Sequence, residues 1–213
     1  MIDPVAMNAA AQLAAHPEFA ALIARIGPCT AVVERREPYE ALVRAIAHQQ
    51  LHGNAARAIL RRLGELHPGT AFPGPAQLAA SPDGALRACG FSGSKIAAIR
   101  DICARAQDGL VPTAAEAESL SDSALIARLS TIRGVGRWTV EMLLISTLGR
   151  PDVLPVDDFG VREGWRLVTG AALQLRPKAL AAVGEAWAPF RSTAAWYLWR
   201  AADAGKKIKQ TPL

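Results

Sequence analysis

A chain of 213 residues, 51% of them hydrophobic, is long enough to bury a substantial core in one domain or two. Its net charge of +5 and pI near 9.5 favour an anionic partner; the excess of Arg over Lys suits phosphate oxygens, although a GC-rich genome produces the same bias. Three scattered cysteines, Cys29, Cys89 and Cys103, argue against a disulfide framework and suit reduced thiols, while no basic, apolar leader and no stretch of about 18 apolar residues point to export or membrane insertion.

Apolar residues recur at helical rather than alternating spacing, so the class expected is all-α. Residues 1–15 are alanine-rich and read as a helix closed by His16-Pro17. A second helix over 17–26 carries Phe19, Leu22, Ile23 and Ile26 on one stripe and ends at Gly27-Pro28. Thr30, Val32 and Val33 favour an extended link without a regular strand. A helix over 37–50, with Pro38 in its first turn, buries Leu42, Val43, Ile46 and Ala47. It leads into Gln49-Gln50-Leu51-His52-Gly53, after which Asn54 is placed to cap a helix reaching Leu66.

A turn-rich link, 67–75, precedes short helices over 76–80 and 82–88 and a longer one over 95–106. Lys95, Arg100 and Arg105 on the latter are placed to meet phosphate, or form an ordinary solvated face. A short helix over 114–120 comes next, and Ser121-Asp122-Ser123 caps another over 124–129. Then comes Leu129-Ser130-Thr131-Ile132-Arg133-Gly134-Val135-Gly136-Arg137-Trp138-Thr139, a Gly-x-Gly turn between two helices, the second running over 137–148. This is the pattern of a helix-hairpin-helix. Glycines allow positive φ and close backbone approach, and a helix N-terminus carries unpaired N–H groups and partial positive charge, so such a turn binds phosphate. Further on, Pro155-Val156-Asp157-Asp158-Phe159-Gly160-Val161-Arg162 places two adjacent carboxylates at the start of a helix over 159–168. Helices over 177–186 and 189–202 and a mobile basic tail complete the chain.

Together with Pro189-Phe190-Arg191-Ser192-Thr193-Ala194-Ala195-Trp196-Tyr197-Leu198-Trp199, these motifs make the chain resemble the helix-hairpin-helix DNA glycosylase superfamily, in its alkylation-repair, 3-methyladenine DNA glycosylase II branch. The resemblance runs from about Glu37 to Trp199. It implies an all-α fold of two helical subdomains with a DNA-binding cleft between them: residues 38–148, carrying the hairpin at about 123–148, and residues 1–37 with 149–205, carrying the catalytic carboxylate, followed by the tail 206–213. The implied enzyme is a monofunctional glycosylase that hydrolyses the N-glycosidic bond of alkylated purines in double-stranded DNA to start base excision repair. The alternative is a non-catalytic helix-hairpin-helix module for damaged or structured DNA.

The family frame around the catalytic aspartate fits Asp158, leaving Asp157 as a cap or orienting partner; standing alone, either carboxylate is as readily a helix cap. A fixed carboxylate facing C1′ stabilises the oxocarbenium-like sugar or orients water. Trp138 and Trp199, with Phe159 and Met142 as weaker neighbours, are the candidate base pocket, since an indole attracts a cationic purine by roughly 0.5–2 kcal/mol. Trp165, Trp187 and Trp196 read as core. Members that cleave the strand carry a lysine where this chain has Trp138, so no lyase activity is expected.

From the same resemblance Leu51 is the apolar wedge that replaces an extruded nucleotide; the plainer reading is a buried loop residue. Gln50 and His52 flank it, with His52 suited to the minor groove. Gly134, Val135, Gly136, Arg137 and Lys95 complete the candidate DNA-binding set. The carbonyls of Ser130, Ile132 and Val135 are expected to hold a structural Na+ or K+. No catalytic cofactor is implied, and no cysteine follows Cys103 to build the iron–sulfur cluster of some relatives. His16, His48, His52 and His67 are scattered, without zinc spacing. The expected state is a cytoplasmic monomer, nucleoid-associated if bacterial.

Overall fold

The computed structural model describes the backbone of residues 4–51 and 53–210, and the side chains of 8–51 and 53–205. His52 and the side chains of the basic tail therefore lie outside the described residues. Among those described, every regular element is helical, and the chain divides into two units, residues 34–148 and residues 1–33 with 149–213.

The first unit is built from the two ends of the chain. Helices α1 (Pro4–Leu13) and α2 (Pro17–Ile26) meet α11 (Phe159–Thr169), α12 (Pro177–Gly184), a 3-10 turn (Glu185–Trp187) and α13 (Arg191–Gln210). Its core is aromatic. Phe19 packs edge-on against Trp187 at 5.2 Å between centroids, and Trp165 lies 5.1 Å from Trp187. All three are buried, as is Tyr197, whose hydroxyl donates to the Gly27 carbonyl at 3.0 Å. Burial of such side chains is worth about 1.5–3 kcal/mol each. Trp165 and Trp187 are thus core, as expected, while Trp196 is half-buried, edge-on to Tyr197 and under the Arg200 guanidinium.

Glycine sets the distance between α11 and α13. A Cβ on Gly164 would fall 2.0 Å from the Leu198 carbonyl oxygen, and one on Gly205 would fall 2.6 Å from Leu167 Cδ1. Helix α13 continues to Gln210 rather than ending near Ala202; Gly205 lies inside it and makes room for Leu167.

The second unit holds α3 (Pro38–His48), α4 (Gly53–Leu66), α5 (Pro75–Ala80), α6 (Asp83–Cys89), α7 (Gly93–Gln107), α8 (Ala114–Ser119), α9 (Asp122–Leu129) and α10 (Arg137–Ser146). Leu42, Ile46, Ile99, Ile102, Leu125, Leu129 and Leu144 are completely buried. Ser121 caps α9 by accepting from the Ala124 N–H, and Thr113 with Glu116 forms a capping box on α8. Residues 34–37 belong to this unit because the Glu34 N–H donates to the Ser146 carbonyl at 2.8 Å and Glu37 accepts from the Ala114 N–H. Asn54 does not cap α4. The helix already begins at Gly53, and the Asn54 side chain accepts from the Arg57 guanidinium instead.

Candidate functional site

The hairpin comprises α9, a turn over residues 130–136, and α10. Ile132 donates to the Leu129 carbonyl and Val135 to the Ile132 carbonyl, winding the turn tightly, while the Arg133 N–H is taken by Asp101 at 2.7 Å. Gly134 has φ +77, and a Cβ there would meet the Ala98 Cβ at 2.9 Å, so both conformation and space demand glycine. Gly136 is different: its backbone is extended, and a Cβ would meet nothing within 4 Å. It is the N-cap of α10, which has no side-chain cap. The N-terminal end of that helix carries partial positive charge, which suits backbone N–H groups to a phosphate. Arg137, with its side chain 60% exposed, donates to the buried Glu141 carboxylate at 2.8 Å.

The carbonyls of Ser130, Ile132 and Val135 all fall in this turn. Neutral main-chain oxygens are suitable donors for a hard monovalent cation, and Ile132 has already given one lone pair to the Val135 N–H. Among the described residues, no group of three or more His, Cys, Asp or Glu could hold a metal ion.

In the same unit, α3 ends in the loop Gln49–Leu51. Leu51 is 41% exposed rather than buried, which favours the wedge reading over that of a buried loop residue. Gln50 has φ +57, a left-handed conformation for a residue with a side chain. The Gln49 amide donates to the Gly134 carbonyl of the hairpin at 3.0 Å. Lys95, read from the sequence as a DNA contact, is half-buried: its ammonium donates to the carbonyls of Ala47 and Gln49 at 2.9 and 2.8 Å, at the C-terminal end of α3. Arg100 likewise donates to carbonyls at the end of α5, including Leu78 at 3.0 Å, and Arg105 pairs with Asp101 and Asp108.

A cavity of about 770 Å3 in this unit is walled by α3, α4 and α10. It brings Trp138 and Met142 together with Gln50, and adds groups that sequence reasoning missed: Arg36, Arg44, His48 and Arg57. Arg44 and His48 are one helical turn apart, on the side of α3 away from the apolar stripe; that spacing was the available signal. Partial burial, reinforced by Arg57, Lys95 and Arg44, lowers the His48 pKa from its ordinary value. Arg44 is held by Glu40 at 2.7 Å and lies over the Phe72 ring.

In the first unit, Asp158 is the N-cap of α11. Its Oδ1 accepts from the Val161 N–H at 2.8 Å and from Trp199 Nε1 at 2.9 Å. Asp157 is exposed and is not the cap. A Cβ on Gly160 would sit 2.9 Å from Trp199 Cδ1 and 3.1 Å from Asp158 Oδ1, so glycine there admits the indole to the carboxylate. Trp199 thus uses its N–H to hold Asp158, a contact that the pocket reading did not include. Phe159 is 61% exposed beside it.

A hairpin wound on Gly134, an exposed apolar loop residue in the same unit and, in the other unit, a carboxylate fixed at a helix start are the features expected of a helix-hairpin-helix DNA-repair protein. Residues 43–189 match the family described as HhH-GPD superfamily base excision DNA repair protein. The chain is 45% identical over 180 residues to DNA-3-methyladenine glycosylase 1 of Schizosaccharomyces pombe, covering 83% of this chain and 79% of the relative. It is 32% identical over 185 residues to the alkylbase DNA glycosidase-like protein mag2 of the same yeast, covering 86% and 87%. The solved Schizosaccharomyces pombe 3-methyladenine DNA glycosylase in complex with abasic DNA superposes with TM-score 0.83 at 41% identity, over 91% of this chain and 95% of that one. A DNA-3-methyladenine glycosidase from Bacillus halodurans gives 0.81 at 35% identity, over 92% and 89%. The chain belongs to the HhH-GPD superfamily of base excision DNA repair proteins.

Proposed function

We propose that this protein is a monofunctional DNA-3-methyladenine glycosylase, with Asp158 as the catalytic carboxylate. The observation that carries the reading is Asp158 itself, fixed through one oxygen by a helix N–H and an indole N–H. A carboxylate held in this way does not have to reorganise as charge develops. The C1′–N bond breaks with its electron pair leaving on the base, and the carboxylate stabilises the positive sugar. Water then adds to C1′, its proton is lost to the carboxylate or solvent, and an abasic site remains. Alkylation at N3 or N7 makes the purine a cationic leaving group, so little proton donation is needed. The names of the relatives support 3-methyladenine as substrate; 7-methylguanine is proposed as a further lesion.

The hairpin would seat on the phosphates of duplex DNA through the N-terminal end of α10, aided by Arg137. The carbonyls of Ser130, Ile132 and Val135 would hold a monovalent cation there, supplying positive charge toward a phosphate. Leu51, flanked by Gln50 and His52, would fill the gap left by the flipped nucleotide. Trp138 and Met142, which line the cavity of the second unit, and, separately, Trp199 and Phe159 of the first are the candidate base contacts. With Trp138 where a Schiff-base lysine would stand, the strand stays intact. We propose that the protein acts as a monomer wherever the chromosome is, in the cytoplasm of a cell without a nucleus. Among the described residues, no helix is long and apolar enough to cross a membrane.

The test is release of free bases from methylated duplex DNA, identified by chromatography, by wild type and Asp158→Asn. Wild type is expected to release 3-methyladenine, and the variant to lose about 100-fold or more in rate while keeping its affinity for DNA. Undiminished release by the variant would remove Asp158 from the mechanism. Binding without release by wild type would make the protein a DNA-binding module.

A further inference from the structure

Resting on the glycosylase reading, we propose that Lys95 and Gln49 are positioning residues that hold the Gln50–Leu51 step in its inserting conformation and tie it to the phosphate-binding hairpin. Three contacts converge on this short loop. Lys95 on α7 reaches across to the Ala47 carbonyl in the last turn of α3 and to that of Gln49, its C-cap. From the side, the Gln49 amide donates to the Gly134 carbonyl, at the residue whose left-handed φ shapes the hairpin turn. Within the loop, the Leu51 N–H returns to the His48 carbonyl at 3.2 Å.

Between these anchors Gln50 sits at φ +57, a conformation that a residue with a side chain keeps only where its surroundings over-determine it. With the residue on each side anchored, the strained step becomes the stable one, and Leu51 remains 41% exposed at its tip. The same contacts run from α7 through the loop to the hairpin. Lys95 therefore acts on DNA through Leu51, without itself meeting a phosphate, and its role differs from that of a surface lysine in a measurable way. A phosphate ligand changes affinity and salt dependence for any duplex. A residue that positions the wedge changes only the step in which a paired base is extruded.

The experiment compares wild type, Lys95→Met, Lys95→Arg and Gln49→Ala on two substrates carrying one 7-methylguanine, either fully paired or set in a small unpaired bubble. Single-turnover excision, binding to abasic duplex as a function of salt, and Tm are measured for each. Gln49→Ala removes a hydrogen bond at the surface and keeps the test open if Lys95→Met folds poorly. Excision from the paired site is expected to fall about ten-fold in Lys95→Met and Gln49→Ala, and to stay within about two-fold of wild type from the bubble, with Lys95→Arg recovering part of the loss. The salt slope of abasic-DNA binding should not change. Equal losses on both substrates, no loss on either, or a salt slope reduced by about one in Lys95→Met would overturn the proposal. If wild type releases neither 7-methylguanine here nor 3-methyladenine from methylated duplex DNA, the glycosylase reading fails, and fluorescence of 2-aminopurine beside the lesion decides the positioning role. Unstacking by wild type that Lys95→Met and Gln49→Ala lose would support it; equal unstacking by all would overturn it.

Discussion

Glycine does opposite work in the two units. In the second, Gly134 is needed for its backbone: φ is +77, and the turn it forms links helices adjacent in the chain. In the first, Gly160 and Gly164 lie in an ordinary helix and are needed for the space their missing side chains leave to Trp199 and Leu198 on α13. One device shapes a loop from within a few residues. The other lets two helices approach until an indole N–H bonds a carboxylate 41 residues away.

The strongest way to break this contrast is Gly164→Ala. The new methyl would overlap a main-chain carbonyl that cannot move without moving α13, so a loss of about 3 kcal/mol is expected, read as a lower denaturant midpoint at unchanged slope. Gly134→Ala should cost less, about 2 kcal/mol, because the strain is local and one contact with Ala98 must yield. Gly136→Ala sharpens the comparison from the other side: with open space around it, a change within about 1 kcal/mol is expected, that of a poorer N-cap.

The smallest effect concerns the segment leading to Asp158. Arg191 grips Asp152 through both carboxylate oxygens at 2.7 and 2.8 Å, and these hydrogen bonds hold the carboxyl below its ordinary pKa of 3.8. The pair's contribution is therefore present above about pH 3.8 and lost as pH falls through the lower folded value. Half-exposed as it is, the pair is worth about 1 kcal/mol. Acid titration of stability should show this component in wild type and not in Asp152→Asn.

The hairpin was legible in the sequence because its determinants are neighbours: two glycines, a cap at Ser121 and an apolar face on α10. The helices and their aromatic core were legible for the same reason, since proline starts and apolar spacing are local signals. Lys95 was not. An exposed lysine and a half-buried one that donates to carbonyls 46 and 48 residues away have the same letter, and the spacing of charges on α7 does not tell them apart. Asp158 could be placed at the helix start, but its indole partner depended on how closely α13 packs. The end of α13, placed near Ala202 from the sequence, falls at Gln210, because nothing local marks Gly205 as a notch for Leu167 inside a helix.

Because residues 34–148 are inserted between the two parts of the first unit, ribosomal synthesis completes the two units out of step. Phe19 and Leu22 emerge early, but the indoles of Trp165 and Trp187 that cover them follow roughly 150 residues later, on the order of ten seconds of elongation. The inserted unit emerges meanwhile as a continuous block with all its partners. Asp158 therefore emerges only after the whole inserted unit, and until Trp165 and Trp187 follow, Phe19 lacks the indoles that pack against it in the native core.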